Sequence, residues 1–593
     1  MLNQQNRWTV VACGVLALIA IVILVIHGVR PATLPEMARV SAKFNAASAM
    51  ENTRELAEQY PDRVTGSRAA GQAVDHLSSK FRELGYRVST DLFSMWLAGQ
   101  RVEGQNVIAE IPGEVPETVA VIAHFDGQLT SHQAAEDNAS GVGTLLELAR
   151  ALRSEPRHRG LIFVATDAEE WGMIGARSLR GFFESRQTLA VISIDYLTAG
   201  RATALAIDCE GQKAGYTPLW LRGVLKQSGI LQRVSVKGPA PFWEWVERSI
   251  QLSAQDQGPL LRVGIPAVNV STVPDDPEAA RARYHSLQDV FQNFDPATFQ
   301  MAGATIEQAI SYLDGMKPSP VREGKYLGLG GNRWLDRTTV EWVQVLGLVP
   351  FMVACVLAGL SFQDDRMPRL VWRYLRPGIY VLPLIAGLVT LHALTSSGVL
   401  KRYEFYPATP KDPFLYVIPL RTAAPLLIPI VVGYIVVAIL RRYLPPAPDD
   451  FAASKRIFCV WLYLLVVGAL YLNPYAMWLF LGALAYGFVL LQRPSSASHR
   501  LLNAALLLLG AAPLIAMLYF FGKDIFLGWR ILWYLVLQTA YGVWSTLAAL
   551  ILLLSVVIWV QLVVMAVIGL PKGVRKPAPR RTEPESELAL AGS

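Results

Sequence analysis

V-A-V-I-A-H-F-D-G-Q, residues 119–128, is a run of small and β-branched apolar residues that ends on a histidine. Such a run, with no polar residue until its end, reads as a strand covered on both faces, as in a parallel sheet. L-I-F-V-A at 161–165, A-V-I-S-I at 190–194 and A-V-N-V at 267–270 repeat the pattern. Helix-like segments separate them, such as 143–153, and helical periodicity runs through 37–59 and 70–84. Alternating β and α predicts an α/β domain with a mostly parallel central sheet flanked by helices.

The residues at the strand ends carry the chemistry. His124 closes the first run, with Asp126 two residues on. E-D-N-A-S-G (136–141) follows and holds Asp137. A-T-D-A-E-E-W-G (165–172) places Glu169 and Glu170 just past the second run, and Asp195 closes the third. His285 stands in Y-H-S-L-Q-D (284–289). Open α/β sheets bind ligands at the carboxyl ends of their strands. Amide hydrolysis at neutral pH needs an activated water and a stabilised oxyanion, and two divalent metals about 3.5–4 Å apart supply both. Such a site needs histidine and carboxylate ligands, a carboxylate shared between the metals and an unliganded carboxylate as base. Asp126 is placed to hold the His124 imidazole. A single Glu-Glu or His-x-Asp is ordinarily solvated surface; the order and placement of the set carry the reading. His132 and His158 read as surface residues, Asp256 as structural, and the Asn138-Ala139-Ser140 sequon as incidental.

Taken together, H-F-D, E-D-N-A-S-G, E-E-W-G, S-I-D-Y and Y-H-S-L-Q-D resemble the M28 family of zinc aminopeptidases over roughly residues 50–315, and P-D-R-V-T-G-S-R (61–68) resembles that family's approach to its first strand. The resemblance implies two zinc ions bridged by Asp137. His124 and Asp195 complete one site, and Glu170 and His285 the other. It implies Glu169 as general base and acid, Asp126 as the residue orienting His124, and a cis Asp137-Asn138 peptide. One departure stands out. Where family members show S-D-H-x-P-F before G-I-P, this chain reads S-A-Q-D-Q-G-P-L-L-R-V-G-I-P (253–266). The missing histidine leaves substrate-binding residues unassigned and counts against close relation to glutaminyl cyclases.

Composition places this domain in a membrane protein. The 593 residues are 52% hydrophobic, with mean hydropathy +0.33. The net charge of +7 reads as loop arginine rather than a nucleic-acid surface, since no basic patch interleaves with aromatics in the polar part. Of four cysteines, only Cys209 lies outside apolar stretches, so no disulfide framework can be built; Cys13, Cys355 and Cys459 lie within them. Residues 8–29 are apolar enough to span a bilayer and lack a nearby cleavage site, which favours an uncleaved anchor with Arg7 on the cytoplasmic side.

The expected organisation is 1–32 N-terminus and anchor, 33–316 ectodomain, 317–341 Gly-rich linker, 342–571 bundle of about seven helices, and 572–593 basic disordered tail. Spans are expected at 342–362, 378–396, 423–440, 457–472, 475–491, 501–521 and 543–570, with 531–541 interfacial or re-entrant. Arginines at 366, 369, 373, 376, 441, 442, 493 and 500 fall on one side of this arrangement, which by the positive-inside rule is the cytoplasm. The expected protein is a multi-pass, bacterial inner-membrane aminopeptidase with a periplasmic catalytic domain. Its partners are a peptide with a free N-terminus and the lipid bilayer, with no nucleic acid. Acyl transfer of the transamidase or cyclase type, and a non-catalytic binding ectodomain, are the alternatives. P-F-W-E-W-V (241–246) reads as a packed loop, a lid or a bilayer contact.

Overall fold

The computed structural model describes residues 4–97, 99–213, 215–317, 324–359, 378–398, 420–440, 442–443, 451–475, 490–524, 528–540 and 545–568. Its strands are β1 (Arg30–Pro31), β2 (Arg87–Leu97), β3 (Gln100–Ile111), β4 (Val115–His124), β5 (Arg159–Thr166), β6 (Thr188–Ile194), β7 (Ala202–Asp208), β8 (Val236–Lys237), β9 (Ala267–Pro274), β10 (Tyr326–Gly330) and β11 (Arg333–Asp336). Eight of them form one sheet in the order β2-β3-β5-β4-β6-β9-β7-β8. The centre, β5-β4-β6-β9, is parallel. The hairpin β2-β3 and strand β7 join it antiparallel, so the α/β sheet is mixed rather than parallel throughout.

Strand alternation distributes the opening run between two layers. Val119, Val121 and Ala123 pack with Phe81, Leu145 and Phe299. Ala120 and Ile122 pack with Val164, Phe183 and Leu260 on the other face. Each fully buried Val or Ile side chain contributes about 1.5–3 kcal/mol. The polar chain ends therefore emerge together at one edge.

Two expectations are corrected. The helix expected at 37–59 begins only at Ala46, where the Asn45 side chain accepts from the Ala47 and Ser48 amides. Before it, Gln308 accepts from Val40 N–H and Glu307 from the Lys43 and Phe44 N–H groups, and these long-range bonds hold the segment extended. The Gly-rich stretch after the domain is a hairpin, not a bare linker. β10 and β11 pair with each other, and β11 with β1 at the end of the first helix. Gly330, Gly331 and Asn332 turn it with positive φ, a conformation open to glycine and tolerated by asparagine.

Helix Ser140–Leu152 lies against helix Ala46–Gln59 so closely that a Cβ on Gly143 would stand 2.2 Å from Thr53 Oγ1 and 2.5 Å from the Ala49 carbonyl oxygen. The backbone oxygen cannot yield as a side chain can. Gly143→Val is expected to cost about 1–3 kcal/mol of stability, read as a lower thermal midpoint; an unchanged midpoint would contradict this close packing.

Among the described residues, four helices are long and apolar enough to cross a membrane: Trp8–Gly28, Ser454–Leu472, Ala497–Lys523 and Thr546–Ile568. Leu382–Ser396 and Ala424–Leu440 are shorter apolar helices. Helix Arg337–Gly359 covers most of the span expected at 342–362. The span at 475–491, apart from its ends, the arginines at 366–376 and 441, and the tail from 572 lie outside the described residues. Helix Ile531–Ala540 falls on the short segment read as interfacial or re-entrant, and its Ile531, Trp533, Tyr534 and Leu537 are buried. They share a hydrophobic cluster with Met95, Trp171, Val246 and Leu252 of the α/β domain. The 241–246 stretch is the start of helix Pro241–Ile250, and Trp243 and Trp245 pack against that same cluster.

Candidate metal centre and catalytic site

His124 is the last residue of β4 and Thr166, its register partner, the last of β5. The chain turns sharply after each. Ala168, Gly172 and Met173 all have positive φ, which folds the Glu169–Glu170 segment back over the sheet edge. Asp195 follows β6 immediately, its amide bonded to the Val270 carbonyl of β9. Asp137 sits in the turn Ala135–Ala139 that leads into helix Ser140–Leu152, and the Asp137–Asn138 peptide is cis. Asn138 is fully buried, donating to the Ile194 carbonyl and accepting from the Gly141 amide, which makes the sequon there sterically inaccessible.

The five residues expected as ligands form two groups that share Asp137. His124 Nε2 lies 3.1 Å from Asp137 Oδ1 and 3.3 Å from Asp195 Oδ1. His285 Nε2 lies 3.0 Å from Asp137 Oδ2 and 3.1 Å from Glu170 Oε2. In each group the donor atoms lie within 4.8 Å of one another. Ligand atoms roughly 2.0–2.2 Å from a tetrahedral zinc stand roughly 3–3.6 Å apart, so the donor spacing fits such an ion. Glu170 Oε1 is buried without a hydrogen-bond partner. His124 Nδ1 faces Asp126, 3.2 Å from its carbonyl and 3.5 Å from its Oδ1. A proton on Nδ1 leaves Nε2 free as an electron-pair donor toward Asp137 and Asp195. Tyr284 stacks on the His285 ring at 3.8 Å.

Glu169 is buried beside these groups but belongs to neither. Burial pushes its pKa well above the carboxylate range; His124 opposes this, and Asp195 and Glu170 add to it. Burial likewise lifts Glu170 to about 7, against the pull of His285. Burial disfavours charge on Asp137 too, but bonds to His124 and His285 win and hold its pKa low. For His285, burial is outweighed by Glu170 and Asp137, which raise it to about 10. So many buried carboxylates around two imidazoles form a cluster with an unmet demand for positive charge.

Supporting residues hold these groups in place, several of them in ways the sequence did not indicate. The Asp126 carboxylate accepts from the Glu169 and Glu170 amides, so it holds the glutamate turn as well as facing His124. Asp289 accepts from the Glu136 and Asp137 amides at 2.6 and 3.3 Å; the signal was its place at the end of Y-H-S-L-Q-D. Arg283 pairs with buried Glu136, tying the His285 loop to the Asp137 turn. Arg63, in P-D-R-V-T-G-S-R, is buried and donates to the carbonyls of Phe125, Gln133 and Ala134. Asp256 accepts from Thr166 at 2.6 Å and feels the His124 and Asp126 charges, which brings it to the edge of the site. His132 and His158 are on the surface, facing Asp62 and Glu114.

The family model for peptidase family M28 matches residues 106–310, the stretch that carries every one of these side chains except Asp62 and Arg63. Residues 106–310 are a peptidase family M28 domain. Among similar proteins, the alkaline phosphatase isozyme conversion protein of Escherichia coli (strain K12) is 34% identical over 173 residues, 25% of this chain and 50% of that protein. Aminopeptidase YwaD of Bacillus subtilis (strain 168) is 24% identical over 200 residues, 33% and 41% of the two chains. The vacuolar membrane protease of Saccharomyces cerevisiae (strain YJM789) is 30% identical over 105 residues, 17% and 11% of the two chains. This chain thus spans half or less of the length of these relatives. The M28 domain accounts for the α/β sheet from the second half of β3 to β9 and for the edge where the carboxylates and imidazoles meet.

Proposed function

We propose that this protein is a membrane-anchored zinc exopeptidase, an aminopeptidase that removes N-terminal residues from peptides on the periplasmic side of a bacterial inner membrane. One observation carries the reading: two donor groups share Asp137, with Glu169 buried beside them and outside both. The M28 domain and the relatives named as an aminopeptidase and a membrane protease support it. In this reading His124, Asp137 and Asp195 hold one zinc ion, and Asp137, Glu170 and His285 the other. The ions would supply Lewis acidity toward the scissile carbonyl and the attacking water. Glu169 takes the proton from that water and returns it to the leaving amine. Asp126 keeps the glutamate turn in register and the His124 ring oriented. The apolar helices anchor the domain beside the membrane, with the chain crossing it several times.

The test is metal analysis beside activity on peptides with free and blocked N-termini. Two zinc ions per chain are expected, one for each donor group. Hydrolysis of free peptides should vanish on chelation and return with zinc. Full cleavage of blocked peptides would replace aminopeptidase by another peptidase reading. A metal-free chain at pH 7 would favour a binding ectodomain, and cyclised or transferred products would favour acyl transfer.

A further inference from the structure

A cavity of about 400 Å³ lies between the M28 domain and the C-terminal helices, near the lower end of the roughly 300–1,000 Å³ typical of ligand pockets. Asp208, Glu210 and Glu247 line it from one side, and Trp243, Phe521 and Tyr534 supply aromatic wall. Its place in the sheet sets it beside the catalytic edge. Asp208 ends β7 opposite Asn269 of β9, and Asn269 pairs with Ser193 of β6, two residues before Asp195. Two strand spacings of about 4.7–4.9 Å put Asp208 about 10 Å across the sheet from β6, near enough for the Asp195 charge to act on it. Gln255, which also lines the cavity, donates to Asp208 and precedes Asp256 in the chain.

The cavity's polar groups share one deficiency. Asp208 takes hydrogen bonds from Asn269, Ser271 and Gln255, Glu210 from Ser253 and Gln257, and Glu247 from Tyr216. Every one of these donors is neutral. Lys237 is the cation on the lining, and its side chain is at the exposed rim. Behind the lining, the fully buried Asn269 and Gln257 side chains hold Asp208 and Glu210 in place through their NH₂ groups. Burial pushes Glu247 to about 8 and also raises Asp208 and Glu210. Carboxylates hydrogen-bonded by neutral donors alone, with the Arg248 guanidinium spent on Glu244 and the Gly324 carbonyl, and an aromatic wall together describe a receptor for a group with several N–H donors and a positive charge at the end of an apolar stem.

We propose that this cavity receives the side chain of the substrate's N-terminal residue and selects lysine or arginine there, with Phe521 and Tyr534 of the C-terminal helices forming part of the specificity pocket. The inference rests on the aminopeptidase reading above. It makes the apolar half of the chain a contributor to substrate choice as well as an anchor. A site built to bond a polar group rejects an analogue lacking it, because its own groups are then left unpaired.

The test is calorimetric titration of the full-length Glu169→Gln chain in lipid nanodiscs with arginine amide and with leucine amide. Arginine amide is expected to bind at least about tenfold more tightly, the scale of one charged hydrogen bond. Glu210→Gln, Glu247→Gln and Tyr534→Ala, each checked for an unchanged melting profile, should each lower the arginine-to-leucine ratio. Equal affinities, or tighter leucine amide, overturn the proposal, as does a ratio that survives all three variants. The two readings fail separately. If arginine amide is preferred but the zinc-loaded wild-type chain cleaves no peptide, the hydrolytic reading falls and the cation pocket stands. If peptides are cleaved with no preference for basic N-termini and the amides bind equally, the pocket falls and the hydrolytic reading stands.

Discussion

Glu169→Gln is expected to lower kcat for a free-amine peptide by about 10²–10⁴-fold, the contribution of a positioned general base. The substitution keeps the shape of the side chain and removes its proton-accepting charge. Glu169 belongs to neither donor group, so zinc content should stay at the wild-type level and KM should change little. The electrostatics explain why the base needs the filled site. Burial drives the Glu169 pKa up, with His124 opposing this and Asp195, Glu170 and Asp256 adding to it. Bound cations would favour the ionised form that can accept a proton. Turnover and zinc stoichiometry measured on the same preparation decide the matter: activity within about tenfold of wild type, with zinc retained, would remove Glu169 from the role of base.

The largest effect on stability is expected at Glu244, far from the metal centre. Its carboxylate is buried between two guanidiniums, 2.8 Å from Arg222 and 3.0 Å from Arg248, and accepts the Gly328 amide of β10. Arg248 in turn lies over the Tyr216 ring at 3.6 Å and donates to the Gly324 carbonyl. The carbonyl of Arg248 accepts from Asn473 in the turn between two apolar segments. Glu244 therefore joins helix Pro241–Ile250, helix Leu219–Gln232 and the β10–β11 hairpin in one network. Glu244→Leu would leave two buried guanidiniums without their counter-charge, at a cost of about 3–5 kcal/mol. A large drop in thermal midpoint is expected, partly restored by adding Arg248→Met; an unchanged midpoint would contradict the network. The pH dependence follows from the shift. Burial alone would raise the Glu244 pKa, but Arg248 and Arg222 outweigh it and the pKa is lowered. The stabilisation is thus fully present above the unfolded value near ~4.3 and is lost as pH falls through the folded value. Glu244→Leu should flatten that acid limb.

The expected site residues were readable because each sits at a landmark the sequence displays. His124 and Asp195 are the first polar residues after apolar runs, and Glu169 and Glu170 follow a third run by four and five residues. The residues that hold them were less visible. Asp289 stood in a quoted motif, but nothing in its spacing tells that its carboxylate caps the Asp137 amide. Asp256 read as structural because a lone aspartate in a divergent stretch has no signature, yet it bonds Thr166 at the end of the strand beside His124. The start of the first domain helix was misplaced because periodicity reports amphipathicity. It does not report that Glu307 and Gln308, over 260 residues away, capture the amides of residues 40–44.

By itself, the sequence determined an α/β domain with chemistry at its strand ends, followed by apolar segments long enough for a membrane. These are properties of neighbouring residues: strand pattern, turn residues and hydropathy are all local. Only the tertiary structure decided that the sheet is mixed, that the Gly-rich stretch pairs with Arg30–Pro31 to close a small sheet, and that helix Ile531–Ala540 packs under the Glu169–Trp171 turn. It also brought Asp208, Glu210 and Glu247 to the same cavity as Phe521 and Tyr534. Each of these depends on contacts between segments hundreds of residues apart. Their energy comes from burial and charge pairing that no window along the chain contains.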